Sequence, residues 1–289
     1  MSLILDGKLV SNYVKENVKK EVDAIIENGG KAPKLAVVLV GEDPASKIYV
    51  RNKIRACAKT GIESISVVLD ESISEEELIS KIDELAKDEE VTGILLQLPL
   101  PKHLNKDNVL PHIPEFKDVD GLTKNNAANL VMNQKGIVPC TPQGVIDLLK
   151  YYNIDVASKN VTIIGRSNLV GKPLSLLMTN LNATVTLCHS KTKNIADITR
   201  RADIVVCALG KANFLTKDMV NENSIVVDVG INRVDDKVVG DADFENLNGY
   251  VSAITPVPGG CGPMTVAELM VNTINCYKIQ KDEWWTWKI

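Results

Sequence analysis

The sequence predicts an α/β protein of two domains, the second built on a parallel sheet of the dinucleotide-binding type. Three observations predict it. Short β-branched apolar runs alternate with helical patterns along almost the whole chain. At 289 residues the chain is long for a single core. Residues 163–173, Ile-Ile-Gly-Arg-Ser-Asn-Leu-Val-Gly-Lys-Pro, read as a strand entering a glycine-bracketed turn that opens a helix. Open α/β sheets place nucleotides at such turns.

The elements follow in order. Val10, Val14, Val18, Val22 and Ile25 recur at helical spacing, and Gly29-Gly30 ends that helix. Residues 35–40 are continuously apolar, as in a strand covered on both faces. A helix over 45–59 and a strand over 64–69 come next, and Ser74-Glu75-Glu76-Glu77 is a capping box opening another helix. Residues 92–98 form a further buried strand. The stretch 99–142 is punctuated by proline and lacks sustained periodicity, which predicts loops and short helices. A second α/β series has strands at 161–164, 184–187, 204–208 and 225–229, joined by right-handed crossovers. A closing helix is expected over 265–281.

Composition narrows the function classes. Hydrophobic residues make up 45% and charged residues 24%, and the formal net charge is −4 with no basic run. Nucleic acid and anionic membranes are therefore not expected as partners. No apolar stretch reaches membrane-spanning length, and the first residues lack a signal peptide's pattern, so a cytoplasmic protein is expected. The six cysteines are scattered without a Cys-x-x-Cys pair, and none of the three histidines forms a ligand-spaced pair. Neither a disulfide framework nor a metal centre is expected. Cys188 and Cys207 end strand-like runs and read as small core residues.

In the turn after residue 164, Gly165 suits a sharp bend and Gly171 a close backbone approach at a helix start. Gly-x-Gly-x-x-Gly is absent. Five residues separate Gly165 from Gly171-Lys172, and Pro173 stands where a phosphate loop needs Ser or Thr. Arg166 and Ser167 inside the turn favour an anion site over a turn that only packs a helix on a sheet.

Tyr49 and Lys53 lie four apart and project from one helix face, a plausible proton-handling pair. Short-chain dehydrogenases carry the same pair, but after their glycine motif; here the order is reversed. Gln97 ends a buried strand before Leu-Pro-Leu-Pro, where an amide can bond a substrate or a lysine. Lys117-Asp-Val-Asp-Gly121 sets two carboxylates in one loop, and Asp120 suits a ring N–H and amino group. Residues 255–265 are rich in proline and glycine, a rigid wall against which a flat ring could stack.

Together these motifs resemble the methylenetetrahydrofolate dehydrogenase/methenyltetrahydrofolate cyclohydrolase family over nearly the whole chain. The anchors are Ser46-x-x-Tyr49-Val-x-x-Lys53, Gln97-Leu-Pro-Leu-Pro101, Lys117-Asp-Val-Asp-Gly-Leu122, Pro139-Cys-Thr-Pro142, Gly165-Arg-Ser-x-x-Val-Gly-Lys-Pro173, Pro256-Val-Pro-Gly-Gly260 and Gly262-Pro-Met-Thr265. The resemblance implies a folate-binding domain over 1–122 with a returning helix over 272–289, an NADP-binding Rossmann-like domain over 123–271, and a cleft between them. It implies NADP-dependent oxidation of 5,10-methylenetetrahydrofolate, then hydrolysis to 10-formyltetrahydrofolate at the same site. Lys53 is then the catalytic group, Gln97 tunes it, Tyr49 orients the folate, Asp120 holds the pterin, and Gly262 and Pro263 line the substrate's other side. Gly165, Arg166, Ser167, Ser190 and Ile231 are the implied cofactor-binding residues. No acidic residue follows the 184–187 strand to accept a ribose hydroxyl bond, and Arg166 can pair a 2′-phosphate, so NADP is favoured over NAD. The family resemblance also implies a homodimer. The competing readings are a single-activity dehydrogenase and a non-catalytic nucleotide-binding protein of the same fold.

Two features depart from the family pattern. Cys261 stands where valine is expected, nearly conserving volume but introducing a thiol, with sensitivity to thiol reagents expected. The C-terminus carries all three tryptophans, Trp284, Trp285 and Trp287. They are expected to pack back on the first domain, with a partner-binding tail as the alternative.

Overall fold

In a computed structural model, which describes residues 1–281 (for Ala45 the backbone alone), the chain begins with β1 (Leu3–Ile4) and α1 (Gly7–Glu27). Then come β2 (Lys34–Val40), α2 (Pro44–Thr60), β3 (Glu63–Leu69), α3 (Glu75–Lys87), β4 (Gly93–Leu96), the single turn α4 (Lys106–Val109), α5 (Lys124–Val131) and α6 (Cys140–Tyr151). The second series is β5 (Asn160–Ile164), α7 (Gly171–Asn180), β6 (Thr184–Cys188), α8 (Ile195–Thr199), β7 (Ile204–Cys207), β8 (Ile225–Asp228), β9 (Asn232–Val234), β10 (Lys237–Val239), α9 (Phe244–Leu247), β11 (Ala253–Ile254) and α10 (Cys261–Ile279). The expected elements are present. The 92–98 strand is trimmed to four residues, and the closing helix starts at Cys261, not 265.

The chain divides into two compact units, one of Met1–Ser11 with Thr141–Thr265 and one of Asn12–Cys140 with the chain from Val266. In the second of these, β3, β2 and β4 form a parallel sheet with β2 central. The apolar run over 35–40 is the middle strand and is buried throughout, whereas β3 is an edge strand with most residues exposed. Leu78, Ile82 and Leu85, spaced three and four apart on α3, pack on Ala36, Val38, Val40, Ile94 and Leu96. Ser74 and Glu77 complete the capping box at the start of that helix.

The other unit carries a six-stranded parallel sheet in the order β1-β11-β8-β7-β5-β6. Ile164, Cys188, Val205, Cys207, Val226 and Ile254 bring its strands into one core. Strand order reverses at β5, which has β6 on one side and β7 on the other. The N-terminal strand was not legible: β1 has two residues, with Leu3 facing Ala253 across the ladder. The β9–β10 hairpin turns through Asp235 and Asp236, both at positive φ, as Asx residues tolerate.

All six cysteines are buried, and no disulfide joins them. Cys261 is 4% exposed, and burial pushes its thiol above the ordinary range, which argues against the expected sensitivity to thiol reagents. Burial pushes Cys57 up to about 12. The thiolate is the reactive form. The native chain should therefore release no chromophore from a thiol-reactive disulfide over minutes, and all six thiols should titrate in denaturant. A fast-reacting thiol in the native chain would contradict this burial. Trp284, Trp285 and Trp287 lie outside the described residues, so their expected packing stays an expectation.

Candidate active site

In the unit of Asn12–Cys140, the chemistry gathers at the carboxyl edge of the three-stranded sheet. Asp43 Oδ2 accepts from the Ser46 N–H at 2.7 Å, Pro44 occupies the first turn, and Gly61 closes α2 at φ 77°. The helix so fixed carries Tyr49, nearly half exposed, one turn before the half-buried Lys53. Gln97 follows β4, and its N–H extends the ladder to Val38 O at 2.9 Å. Its buried side chain accepts a hydrogen bond from Lys53 Nζ at 3.0 Å and donates from Nε2 to Leu98 O at 2.6 Å. The second bond settles which end of the amide faces the lysine, since only the oxygen can accept from an ammonium.

Two carboxylates in the following loop, alike in sequence, are distinguished by the fold. Asp118 is buried and structural: its Oδ2 accepts from the Thr123 N–H at 2.8 Å and Asn126 Nδ2 at 3.0 Å. Asp120 is the one within electrostatic reach of Lys53. Burial raises its pKa, the Lys53 charge opposes that rise, and Asp118 adds to it. Gly121, at φ 65°, has no space for a side chain, since a Cβ would meet Pro139 N at 2.7 Å. Lys117 is buried and caps α3, donating to Ala86 O at 2.9 Å and Asp88 O at 2.7 Å.

Sequence reasoning missed what stands behind Asp120. Cys140 Sγ donates to Val119 O at 3.4 Å and lies 3.8 Å from Asp120 Oδ1. Asn272 Nδ2 donates to Val119 O and to Val138 O, both at 2.9 Å. A buried amide inside an apolar helix must find partners, and that was the available signal.

In the unit holding the six-stranded sheet, register gathers the expected cofactor residues. Ile164 faces Cys188 on one side and Cys207 on the other, and Cys207 faces Asp228. The loops after β5, β6, β7 and β8 therefore leave from one row. Gly165, Arg166 and Ser167 follow β5, Ser190 follows β6, and Ile231, half exposed, follows β8. Strand-order reversal beside β5 puts the crevice at this row, the position where open sheets bind ligands. Gly165 has φ 125°, and a Cβ there would lie 2.1 Å from Ala208 O. A Cβ on Gly171 would lie 1.9 Å from Gly165 O. The two glycines thus fold the turn onto itself, presenting exposed Arg166 and Ser167 beside the start of α7, whose N-cap Val170 has no side-chain acceptor. Ser167 Oγ accepts from the Val170 N–H at 3.1 Å, so its own proton remains available to donate. A cationic side chain, a hydroxyl and a helix N-terminus fit the phosphates of a dinucleotide.

Gly262 and Pro263 belong to this unit, in the first turn of α10 and not in an extended wall. No atom lies within 4 Å of where a Gly262 Cβ would sit, so its bare backbone faces open space. The preceding Gly259-Gly260 is braced by the N-terminus: a Cβ on Gly7 would fall 1.8 Å from Gly260 O, and the Lys8 N–H donates to Gly259 O at 3.1 Å. Among the described residues no group of His, Cys, Asp and Glu is placed to hold a metal ion.

Residues 5–120 match the model for the catalytic domain of tetrahydrofolate dehydrogenase/cyclohydrolase, and residues 139–281 match the model for its NAD(P)-binding domain. The chain belongs to the tetrahydrofolate dehydrogenase/cyclohydrolase family. Within it, the bifunctional protein FolD of Mycoplasma mycoides is 49% identical over 283 residues, spanning 97% of this chain and 98% of its own. The crystal structure of the bifunctional FolD methylenetetrahydrofolate dehydrogenase/cyclohydrolase from Campylobacter jejuni superposes with a TM-score of 0.95 at 46% identity, covering 97% of this chain and all of that one. That of the Trypanosoma brucei family member, complexed with NADP and an inhibitor, gives 0.92 at 34% identity, covering 97% and 98%.

Gly171→Ala tests the folded turn. The added methyl must displace backbone, so stability should fall by about 1–3 kcal/mol, and affinity for a dinucleotide should fall with it. Thermal denaturation and calorimetric titration check both. An unchanged midpoint and affinity would refute the close approach.

Proposed function

We propose that the chain oxidises 5,10-methylenetetrahydrofolate to the methenyl form with NADP and hydrolyses that product to 10-formyltetrahydrofolate, both at the site around Lys53. The observation that carries this is the Lys53–Gln97 hydrogen bond of 3.0 Å beside Asp120, in a chain 49% identical to a bifunctional FolD over nearly its whole length. We place the folate-binding residues in 1–122 with the returning helix from 272, and the cofactor residues in 123–271.

Bound NADP supplies the hydride acceptor. The residues that receive its phosphates are Arg166 and Ser167, with Gly165 shaping the turn, Ser190 towards the adenosine ribose and Ile231 towards the nicotinamide. Hydride loss is assisted by the two nitrogens flanking the methylene carbon, so the protein's part is to align the substrate. Tyr49 orients the folate from α2, Asp120 binds the pterin's N–H groups, and Gly262 and Pro263 are further substrate contacts in this reading. In the second step, water attacks the methenyl carbon and must lose a proton. Lys53, as the free amine once its own proton has gone to solvent, takes it at Nζ, while Gln97 Oε1 holds one of its N–H bonds and so aims the nitrogen. Asp120 keeps the pterin fixed as the C–N bond to the ring nitrogen breaks: the remaining hydroxyl proton passes to that nitrogen as the carbonyl forms, the formyl group stays on the other nitrogen, and the proton on Lys53 is released to solvent.

The partners in this reading are tetrahydrofolate one-carbon substrates and NADP, with no nucleic acid or membrane, in a cytoplasmic homodimer. The net charge of −4 without a basic run supports it, and no described helix is long and apolar enough to cross a membrane.

The assay supplies 5,10-methylenetetrahydrofolate with NADP or NAD and follows methenyl absorbance before and after acidification. Reduction of NADP with little methenyl before acid is expected. Methenyl accumulating would leave a dehydrogenase alone, and no reduction with either cofactor would refute the enzyme. In Lys53→Met, hydrolysis should drop by on the order of 100-fold or more and methenyl should accumulate; full hydrolysis would remove Lys53 from the mechanism. Arg166→Ala should raise the KM for NADP by about 10- to 100-fold while hardly altering that for NAD. Equal losses for both cofactors would argue against a 2′-phosphate contact.

A further inference from the structure

Two buried carboxylates at and beyond the strand ends take no part in the chemistry above. Asp241 follows the β9–β10 hairpin and is fully buried. Its Oδ2 accepts from the N–H groups of Leu209 at 2.6 Å and Gly210 at 3.0 Å, and its Oδ1 from the Lys211 N–H at 2.8 Å and Asn232 Nδ2 at 2.9 Å. Asp228, the last residue of β8, accepts from the N–H groups of Gly230, Asp241 and Ala242 at 2.9, 3.0 and 2.7 Å, and so fixes the backbone from which Asp241 projects. Neither neighbouring glycine has space for a side chain: a Cβ on Gly230 would lie 2.1 Å from Asp241 Cγ, and one on Gly240 1.9 Å from Asp228 Oδ2.

Three successive backbone N–H groups gathered on the two oxygens of one carboxylate make an anion-binding nest. This one lies just past the carboxyl end of β7, the strand beside the order reversal, in the row from which the Gly165 turn also leaves. An unfilled nest there would compete with the Gly165–Gly171 turn for a dinucleotide's phosphates. We propose that Asp241 is a positioning residue of the nucleotide site: its carboxylate fills the nest after β7, directing phosphate to the turn after β5 and tying residues 209–211 to the segment that carries Ile231. This rests on the cofactor reading above. An amide could not substitute, because its NH2 end would confront N–H donors. A small apolar residue would leave three N–H groups converging on an empty, carboxylate-sized space.

The test is Asp241→Ala, with folding checked by circular dichroism and NADP binding measured by calorimetric titration. Affinity for NADP should fall about tenfold and the KM for NADP should rise in step, while the KM for the folate substrate stays within about twofold. Formate, the size of the deleted carboxyl, should restore NADP affinity in the variant and leave the wild type unchanged. A folded variant with wild-type NADP affinity overturns the proposal, as does a loss that formate does not relieve. Should Asp241→Ala not fold, Asn232→Ala leaves the nest filled but cuts the bond by which Asp241 ties residues 209–211 to the segment that carries Ile231, the other half of the proposal. A few-fold loss of NADP affinity is then expected, and no loss overturns the proposal. Wild-type protein that does not bind NADP would sink the cofactor reading, and this one with it, before any variant is compared.

Discussion

Alignment of parallel strands is the constraint on which the rest of the nucleotide half depends. Because β5, β6, β7 and β8 end in one ladder row, at Ile164, Cys188, Cys207 and Asp228, every loop that follows leaves from the same edge. Residues far apart in sequence become neighbours without any side chain having to seek another. Backbone must then cross backbone closely as it leaves. The glycines at 165 and 171 meet that demand, while those at 230 and 240 make room for the buried carboxylates of Asp241 and Asp228. A smaller version governs the three-stranded sheet, where Gln97 continues β4 by one ladder bond and thereby meets a lysine two turns into the helix after β2.

Much of this was legible. Continuous apolar runs gave the buried strands, the capping box gave the start of α3, and Tyr49 and Lys53 could be set on one helix face because four residues make about one turn. The turn after β5 was recognisable from its two glycines, although their reason for being glycine was not. That reason is a clash with Ala208 O and Gly165 O, partners distant or unremarkable in sequence. β1 and β11 stayed hidden because a two-residue strand has no periodicity to read, and the pairing itself spans about the whole chain. The start of α10 was misplaced because Gly262 and Pro263 look like loop formers, whereas proline is well tolerated in a helix's first turn.

Polar residues separate in the same way. Asp118 and Asp120 are two apart and equivalent on paper, and only burial and partners divide them. Lys117, Asn272 and Asp241 are buried polar groups whose bonds go to backbone at distant places, so the sequence announces a charge or an amide without saying what it ties. The groups proposed to act differ by keeping an unfinished side: Lys53 is bonded to Gln97 yet only half-buried, and Arg166 stands exposed. Structure is satisfied inward, and chemistry is left facing out.

The contact between β1 and β11 bears on synthesis as well as on architecture. Leu3 leaves the ribosome long before its ladder partner, Ala253. Gly7 likewise waits for Gly260. The other unit also draws on the chain after Val266. Neither unit is one continuous stretch, so each waits for a later segment, one for the chain up to Thr265 and the other for the chain from Val266. The nascent protein must carry an unpaired β1 and an incomplete core until those later segments have been made.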